Sequence, residues 1–416
     1  MNGFAEVARP VLTILYHFDP WGTGVGGIDT LIRQWVKYAP DAMEIRIVGA
    51  SEQATQLGRW SNRELAGRQI RFLPAIHLSN PNHKRRVPNT LRFAIAIARL
   101  GRPLSSDFIH FHRIEPSIGC LRWPGDKTLF FHIDIQKQLS VTRDGNEFGW
   151  RRSPSIYHAL ERRLLPGFAE VLECNSASLD YHRARYPHLA ERFRFLRNCV
   201  DPDVHWALPA TRREISRARV AASLKLPTST RFALFAGRLQ PMKHPQLLVK
   251  AFERVKLPDV HLLIAGDGNL REELDQEIHA RGLQRRITLL GALPQLELRD
   301  LYQVSDAFVL TSTYEGLPVA ALEALSCGTP VLTTDSGETP LLLTDKSGIV
   351  CRSTCPQQIA DALCKLVAGR SDQTSAACSA IAEPFGAAKV LAAEYDRMMD
   401  RWRARNPRQQ RRRGSR

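Results

Sequence analysis

The stretch Tyr314-Glu315-Gly316-Leu317-Pro318-Val319-Ala-Ala-Leu-Glu323 lies between two strand-length apolar runs, at residues 307–311 and 330–334. Pro318 suits the first turn of a helix, because proline lacks the N–H that would be unpaired there. We therefore predict a strand, a loop that contains Glu315 and a helix over residues 319–327. Glu323 would lie inside this apolar helix, where a carboxylate is costly unless it is hydrogen-bonded. A pair of sugar hydroxyls would satisfy it.

The same alternation of short apolar runs and longer helical patterns extends over the whole chain. This rhythm is typical of an α/β protein with parallel sheets. Further helices are predicted at residues 246–255 and 269–281. Five strands are predicted in each half of the chain, at residues 11–16, 44–48, 108–111, 128–132 and 170–174, and at 232–236, 261–265, 286–290, 307–311 and 330–334.

The length of 416 residues exceeds what one hydrophobic core normally supports, about 250–300 residues. A polar, turn-prone segment near residues 198–208 separates two complete α/β series. We predict two Rossmann-like doubly wound domains, residues 1–203 and 204–385, that face each other across a cleft. A terminal helix at 386–404 would cross back to the first domain, and an Arg-rich tail at 405–416 would be disordered. Ligands of doubly wound sheets bind at the carboxyl ends of the strands.

The net charge of +16 is unevenly distributed. Residues 1–205 carry 28 basic and 20 acidic side chains, and residues 397–416 carry nine arginines and one aspartate. Two interpretations stay open. The charges form solvated surface and a disordered tail, or they attract an anionic membrane face, where each basic residue contributes about 1 kcal/mol.

The apolar runs are far shorter than the roughly 20 residues of a transmembrane helix, and no signal peptide is recognisable, so we expect a cytoplasmic location. The eight cysteines form no CxxC pair, which favours a reducing compartment over a disulfide framework or a zinc site.

A glycine-rich loop, Gly22-Thr-Gly-Val-Gly26-Gly27, precedes the first predicted helix. Glycines allow a ligand to approach the backbone closely, and a helix N-terminus favours anions. The spacing formally matches the dinucleotide fingerprint, but five residues separate the loop from the first strand, so we discount that interpretation. We predict a ligand contact at Gly26 and Gly27.

Two basic residues, Arg238 and Lys243, follow the first strand of the second half. Arginine offers a forked contact and lysine a point charge, so together they could hold a diphosphate. Taken alone, they would be interpreted as exposed loop residues.

Three histidines, His110, His112 and His132, occur at or just beyond predicted strand ends in the first half. A single histidine is more often structural, but three at one crevice edge favour a functional role. Asp201-Pro-Asp203 matches a DxD metal motif, but its position in the interdomain segment argues against that use.

Together these segments resemble the GT-B glycosyltransferases of family 4. Glu315 and Glu323 match the family's E-x7-E motif, and residues 235–243 resemble its AGRL…K phosphate loop. Ile264-Ala-Gly266-Asp-Gly-Asn269 is similar to its IxGxGP turn, Asn198-Cys-Val-Asp201 to its NGVD segment and Gly26-Gly27 to its N-terminal glycine loop.

The resemblance implies roles for these residues. Glu323 would bind the ribose hydroxyls of a nucleotide-sugar donor, and Glu315 the hydroxyls of the transferred sugar. Arg238 and Lys243 would hold the diphosphate, and His132 would lie beside the reacting carbon. Donor contacts are also expected from a further set, Gly316, Leu317, Gly26, Gly27, Gly266, Gly337 and Glu338, and the acceptor side is expected at His110 and His112.

The implied reaction needs no metal and no cofactor. Fixed cations and amides would stabilise the negative charge that develops on the leaving diphosphate. Anomeric configuration would be retained through same-face attack, in which the leaving phosphate accepts the proton. The family's GG-x-P-E stretch reads Gly337-Glu338-Thr339-Pro340-Leu341 here, so Glu338 replaces a glycine and donor preference stays open.

We therefore expect a hexosyltransferase that uses a UDP- or GDP-sugar and a polysaccharide or lipid-linked oligosaccharide acceptor. Bacterial envelope or exopolysaccharide assembly at the inner face of the plasma membrane is the implied setting. The main alternative is a sugar-nucleotide-binding GT-B protein without transferase activity. A nucleic-acid-binding role for the Arg-rich tail lacks aromatic interleaving or a recognition module, so no nucleic-acid partner is expected. An epimerase or phosphorylase of this fold has no signature here.

Overall fold

The computed structural model describes residues 9–22, 26–53, 56–78, 87–134, 137 and 153–406. The predicted tail lies outside these residues from position 407 onward, as do residues 23–25 of the glycine-rich loop. The described chain forms two α/β units, each built on one twisted sheet.

The first unit has an eight-stranded sheet in the order β3-β4-β2-β1-β5-β6-β7-β8. All pairs are parallel except the β3–β4 hairpin. Its strands are β1 (Val11–Leu15), β2 (Glu44–Ser51), β3 (Ser61–Leu65), β4 (Arg68–His77), β5 (Phe108–Phe111), β6 (Asp126–Phe131), β7 (Glu170–Glu173) and β8 (Phe193–Phe195). Its helices are α1 (Gly27–Lys37), α2 (Asn89–Leu100), α3 (Pro154–Leu164) and α4 (Ser176–Arg185).

The second unit has a six-stranded parallel sheet in the order β11-β10-β9-β12-β13-β14. Its strands are β9 (Arg231–Ala236), β10 (Val260–Ala265), β11 (Ile287–Gly291), β12 (Ala307–Leu310), β13 (Val331–Thr334) and β14 (Gly348–Cys351). The helices are α5 (Ala210–Ser223), α6 (Pro245–Phe252), α7 (Arg271–Ala280), α8 (Gln295–Val304), α9 (Val319–Ser326), α10 (Thr339–Leu342), α11 (Pro356–Ala368) and α12 (Asp372–Ala382), followed by α13 (Ala387–Arg405).

The central strands of each sheet are buried on both faces, as near-continuous apolar strands require. In β5, Ile109 and Phe111 pack with α2, whereas Phe108 faces a second cluster that contains Trp35 of α1. The second sheet is likewise covered by two clusters, one around Phe252 and one around Tyr302. The structure confirms the predicted α/β class with two doubly wound units.

The last helix, α13, packs against the first unit. Leu391 and Tyr395 join the same apolar cluster as Trp35, and the Tyr395 hydroxyl donates to the Trp35 carbonyl. Glu394 of α13 accepts a hydrogen bond of 2.6 Å from Arg194. The chain passes between the two units near residue 200 and again near residue 386. These two segments lie side by side and are joined by a parallel β-bridge between Val200 and Gly386.

Each sheet changes direction at one point in its strand order. In the first sheet, β1 lies between β2 and β5, and in the second, β9 lies between β10 and β12. Loops that leave these neighbouring strands diverge to opposite faces and open a crevice, where ligands of such sheets bind. The residues that follow β1, β5, β9 and β12 are therefore the first place to look for a site.

Candidate active site

Three loops at the carboxyl edge of the second sheet are joined by hydrogen bonds. The Thr313 backbone N–H donates to the Met242 carbonyl at 2.8 Å, which links the β12 loop to the β9 loop. The Thr334 hydroxyl donates to the Ser312 carbonyl at 2.6 Å, which links β13 to the β12 loop. The loop that contains Glu315 is thus held from both sides by its neighbours.

This arrangement brings Lys243 and Glu315 together. The Lys243 ammonium forms an ion pair with Glu315 Oε1, and the Ser312 hydroxyl donates to the same oxygen at 2.6 Å. Glu315 is buried, whereas part of Lys243 is accessible. The other oxygen, Oε2, accepts no hydrogen bond from the described residues. The two residues therefore form one unit, with a carboxylate oxygen left for a ligand.

Glu323 is buried in α9, as the sequence predicts, but its partners come from the protein. The Tyr302 hydroxyl donates to Glu323 Oε2 at 3.1 Å, and His205 Nε2 lies 3.7 Å from Oε1. The proposed ribose contact is therefore not required to compensate for the burial of this carboxylate. Its role at the donor stays a prediction.

Arg238 follows β9 and is exposed. Its side chain forms no hydrogen bond or ion pair with any residue in the described part of the chain. Burial lowers the pKa of His17 and raises the pKa of Asp29, and the charge of Arg238 adds to the first shift and opposes the second. Arg238 is thus a free cation that faces the first domain.

The N-termini of α1, from the first domain, and α9, from the second, lie close together at the crevice. Gly26 caps α1, where its N–H donates to the Asp29 carboxylate at 2.9 Å. A Cβ added at Gly27 would lie 3.7 Å from Val319, the first residue of α9. Burial raises the pKa of Asp29 to about 6, against the opposing charge of Arg238. Two helix N-termini therefore meet at the crevice, where they favour an anion.

The loop after β12 also touches the first domain directly. A Cβ at Gly316 would collide with Cys174 Sγ and the His132 carbonyl oxygen, each at 2.5 Å, so only glycine permits this approach. The Leu317 carbonyl accepts a hydrogen bond of 2.6 Å from the Asn198 side-chain amide. Leu317 thus has a partner in the segment between the domains, and its expected donor contact stays a prediction.

Gly337 and Glu338 pack on this loop. Gly337 has φ of +70°, and a Cβ there would clash with the Gly316 carbonyl. Glu338 accepts hydrogen bonds from the Ser176 backbone N–H at 2.7 Å and from the Ser176 hydroxyl at 2.8 Å. The geometry gives Glu338 an interdomain partner, and its expected donor contact stays a prediction.

Gly266 directly follows β10 and lies against Gly237 of the β9 loop. Its φ is +143°, and a Cβ would fall on the Gly237 carbonyl oxygen. The Gly266 N–H donates to the Gly291 carbonyl at 2.7 Å. Gly266 therefore supports the loop that carries Arg238 by allowing two backbones to touch.

His112 and His132 form a stacked pair at the crevice. Their rings lie 5.1 Å apart and nearly parallel, and His112 Nδ1 is 2.9 Å from His132 Nε2. Burial, with a contribution from Arg113, lowers the pKa of His132 to about 3. The pKa of His112 is also lowered, by burial and by the neighbouring histidines. Both rings are therefore neutral near pH 7.

His110 does not share this position, and its expected acceptor-side role stays a prediction. It lies within β5, on the face that packs against α1 and α13, and its ring meets Trp35 edge-on at 4.8 Å. Burial lowers its pKa to about 3. The prediction considered how close His110 lies to the end of its strand, but not which face of the sheet its side chain occupies.

The candidate DxD motif is used structurally. Lys37 Nζ lies 2.7 Å from Asp201 and 2.8 Å from Asp203, and the Tyr38 hydroxyl donates to Asp201 at 2.8 Å. Within the described ranges, no group of three or more His, Cys, Asp or Glu side chains has the arrangement of a metal site.

No described helix combines the length and the apolar character needed to cross a bilayer.

Several site residues were missed by the sequence analysis. They are contacts across strands or domains that only the strand order reveals, namely His17, Asp29, Arg113, Ser176, His205 and Tyr302. For His17 and Arg113 a signal did exist, because both follow strands that prove to flank the point where the first sheet changes direction.

Comparison with known proteins agrees with this geometry. Residues 216–383 match the family model described as Glycosyl transferases group 1. The chain is similar to the D-inositol 3-phosphate glycosyltransferase of Mycolicibacterium smegmatis, with 32% identity over 210 residues, covering 48% of each chain. The chain thus spans about half the length of this curated relative.

Two solved structures share the architecture. Sucrose-phosphate synthase from Thermosynechococcus elongatus has a TM-score of 0.78 at 16% identity, over 95% of this chain and all of that one. Anabaena HepE, solved in complex with UDP-glucose, has a TM-score of 0.68 at 16% identity, over 94% of this chain and all of that one. Such low identity shows the fold alone. The chain therefore has the GT-B fold, and within its second domain residues 216–383 match the group 1 glycosyl transferases.

Proposed function

We propose that this chain is a retaining, metal-independent glycosyltransferase that moves a hexose from a UDP- or GDP-sugar to a polysaccharide or lipid-linked oligosaccharide. One observation carries the proposal. The Lys243–Glu315 pair joins the loops that follow β9 and β12, and Arg238, whose side chain has no partner among the described residues, belongs to the same β9 loop. The match of residues 216–383 to the group 1 glycosyl transferases supports the same assignment.

The donor would lie along the second domain. Arg238 and Lys243 would bind its diphosphate, since one is free and the other has N–H groups left after pairing with Glu315. The free Oε2 of Glu315 would accept from hydroxyls of the transferred sugar. Glu323, held in place by Tyr302, would bind the ribose.

The chemistry follows from these charges. As the glycosyl–phosphate bond breaks, negative charge grows on the diphosphate, and preorganised cations with two helix N-termini stabilise it without reorganising. His132 is neutral near pH 7, so it is not a charged acid. We propose that the leaving phosphate accepts the acceptor's proton on the same face, which retains configuration.

Donor binding is tested first. Thermal unfolding would be followed with UDP, GDP and a panel of their sugars, because a ligand that binds only the folded state raises its stability. We expect a concentration-dependent rise with one nucleotide class. No rise with any member of the panel would contradict the proposed donor.

Slow hydrolysis of the donor distinguishes a transferase from a protein that only binds the donor, because only a transferase breaks the glycosyl–phosphate bond. We expect release of the nucleoside diphosphate by the wild type and loss of that release in Glu323→Gln. The matched control is Glu297→Gln, an exposed acid in α8. If the wild type binds donor but never releases nucleotide with any acceptor, the chain is a sugar-nucleotide-binding protein instead.

An anionic membrane is the proposed location of the acceptor, in bacterial envelope or exopolysaccharide assembly at the inner face of the plasma membrane. The exposed face of α2 carries Leu91 and Ile95, each 43% exposed. The adjoining turn Glu115–Gly119 adds exposed Ile118. Exposed arginines follow in the same part of the chain, at 99, 102 and 122, and the preceding Lys84-Arg-Arg lies outside the described residues. Exposed apolar side chains together with cations suit a membrane interface.

Vesicle sedimentation tests this surface. We expect tighter binding to vesicles with anionic lipid than to phosphatidylcholine alone, and weaker binding by Leu91→Glu/Ile95→Glu. Leu296→Glu, at an exposed leucine of the second domain, serves as the control. Equal binding to both kinds of vesicle would remove the electrostatic argument.

A further inference from the structure

His205 belongs to the segment between the two domains, and its side chain is fully buried. Both of its ring nitrogens are buried without a hydrogen-bond partner, and no other described histidine has both nitrogens in this state. A neutral imidazole carries one N–H, on either nitrogen. The N–H of His205 is therefore unsatisfied in both tautomers, which is costly for a buried donor.

The acceptor within reach of this ring is the carboxylate of Glu323. His205 Nε2 lies 3.7 Å from Glu323 Oε1, which is too long for a hydrogen bond. The other carboxylate oxygen, Oε2, accepts from the Tyr302 hydroxyl at 3.1 Å. Oε1 accepts no hydrogen bond from any residue that the structure describes, so it is the oxygen left for a ligand.

The backbone holds His205 and Glu323 on one frame. The His205 N–H donates to the Asp201 carbonyl at 2.9 Å, and its own carbonyl accepts from the Ser326 hydroxyl at 2.8 Å. Ser326 ends α9, the helix that carries Glu323. A side-chain movement of less than about 1 Å would therefore bring Nε2 and Oε1 into hydrogen-bonding distance without moving a helix.

Tyr302 alone does not fix the orientation of the Glu323 carboxylate. Burial, together with the charge of Glu323, raises the pKa of Tyr302, so its hydroxyl keeps the proton that it donates. The last torsion of a glutamate side chain is broad, and one hydrogen bond at Oε2 leaves the carboxylate free to turn about it. A second hydrogen bond, at Oε1, would fix the plane in which this oxygen meets a ligand.

We propose that His205 is a positioning residue for the donor, and this inference rests on the proposed function. When Glu323 binds the ribose, Nε2–H of His205 donates to Oε1, and the same oxygen accepts from a ribose hydroxyl through its second lone pair. Tyr302 and His205 then hold the two oxygens of one carboxylate. His205 thereby contributes to the preference for a ribonucleotide donor over one that lacks the ribose hydroxyls.

The test titrates the full chain by calorimetry with the nucleotide that thermal unfolding identifies, UDP or GDP, and with its 2′,3′-dideoxy analogue. The wild type should bind the ribonucleotide roughly tenfold more tightly, because the analogue offers Glu323 no hydroxyl. We expect His205→Phe to lower this ratio by about threefold or more and to bind the analogue as the wild type does. His188→Phe, at an exposed histidine of the first domain, should keep the wild-type ratio.

Two amide variants separate a positioning role from a packing role. The amide N–H of His205→Gln can take the place of Nε2, so this variant should keep the wild-type ratio. The amide of His205→Asn can replace only Nδ1, so this variant should behave like His205→Phe. Since the ring nitrogens have no hydrogen-bond partners, His205→Phe should unfold at no lower temperature than the wild type, which shows that it is folded.

Glu323→Gln reports the proposed function separately. If neither UDP nor GDP binds the wild type, or if Glu323→Gln keeps the full preference for the ribonucleotide, the proposed donor site is wrong and this inference fails with it. If Glu323→Gln loses the preference but His205→Phe keeps it, the inference alone is overturned. Equal weakening of both nucleotides in His205→Phe also overturns it, because that result indicates a general packing role.

Discussion

The carboxylate of Glu338 accepts two hydrogen bonds from Ser176, from its backbone N–H at 2.7 Å and its hydroxyl at 2.8 Å. Ser176 begins α4 of the first domain, so the contact joins the two domains beside the crevice. A carboxylate at a helix N-terminus is favourable. The acid that replaces a glycine of the family pattern therefore provides an interdomain contact.

Loss of this contact should weaken the folded state. In Glu338→Ala both hydrogen bonds disappear, and bonds to a charged group contribute about 1.5–3 kcal/mol. We expect a decrease of that size in the free energy of unfolding, measured by urea denaturation. Asp335→Ala removes an exposed acid from the same loop and should change stability by less than about 0.5 kcal/mol. Equal effects of the two substitutions would contradict the contact.

Arg238 and Lys243 should respond differently to removal. Lys243→Ala leaves Glu315 buried without its cation, so we expect a loss of about 2 kcal/mol in stability without donor. Arg238→Ala removes an exposed side chain without partners and should leave stability within about 0.5 kcal/mol. It should nevertheless weaken UDP-sugar binding at least tenfold. Thermal unfolding and donor titration distinguish the two variants. A destabilised Arg238→Ala variant would contradict the finding that the Arg238 side chain has no partner among the described residues.

The glycine at the end of β10 should tolerate no side chain. Gly266→Ala forces a Cβ onto the Gly237 carbonyl, so we expect destabilisation of more than about 3 kcal/mol. Gly282 also has positive φ, at +68°, but nothing lies within 4 Å of its added Cβ. Gly282→Ala should cost only about 1 kcal/mol from backbone strain. Similar urea midpoints for the two variants would refute the steric explanation.

A buried charge network in the first domain predicts the pH dependence of stability. His182 lies 3.2 Å from Glu161 and 2.7 Å from Glu173. Burial alone would lower the pKa of His182, but these carboxylates outweigh it and raise the pKa to about 9. Burial raises the pKa of Glu173 to about 7.

Both shifts have the same sign. Groups whose pKa is raised on folding stabilise the protein fully below their unfolded pKa and lose that contribution as pH rises through the folded value. We therefore expect the unfolding free energy to fall from about pH 4.5 to about pH 7 through Glu173 and from about pH 6.5 to about pH 9 through His182. Glu161→Gln/Glu173→Gln should flatten this slope, whereas Glu191→Gln, at an exposed acid, should keep it. If the unfolding free energy of the double variant fell with pH as steeply as that of the wild type, this charge network would not be the cause of the pH dependence.

Local features of the second domain could be predicted from the sequence. Pro318 marked the start of α9, and short apolar runs marked five of the six strands of the second sheet, whereas β14 was missed. The β3–β4 hairpin was missed because β3 is polar and exposed. Its two-residue loop, Ala66-Gly67, has positive φ at both positions, and only the glycine gives a sequence signal.

The site could be predicted less completely, because its contacts depend on strand order. The pairing of Lys243 with Glu315 requires β9 beside β12, and the position of Arg113 requires β1 beside β5. Glu323 was correctly expected to be buried, but its partner Tyr302 lies on α8, which the sequence does not place.

The central claim is sugar transfer from a nucleotide donor, and NMR observation of the released sugar tests it most directly. The wild type would be incubated with the donor identified by thermal unfolding, with EDTA present. We predict release of the nucleoside diphosphate together with a sugar that first appears in the donor's anomeric configuration, and loss of both products in Arg238→Ala. Release of the inverted anomer, dependence on added metal, or no release from any UDP- or GDP-sugar would contradict the account.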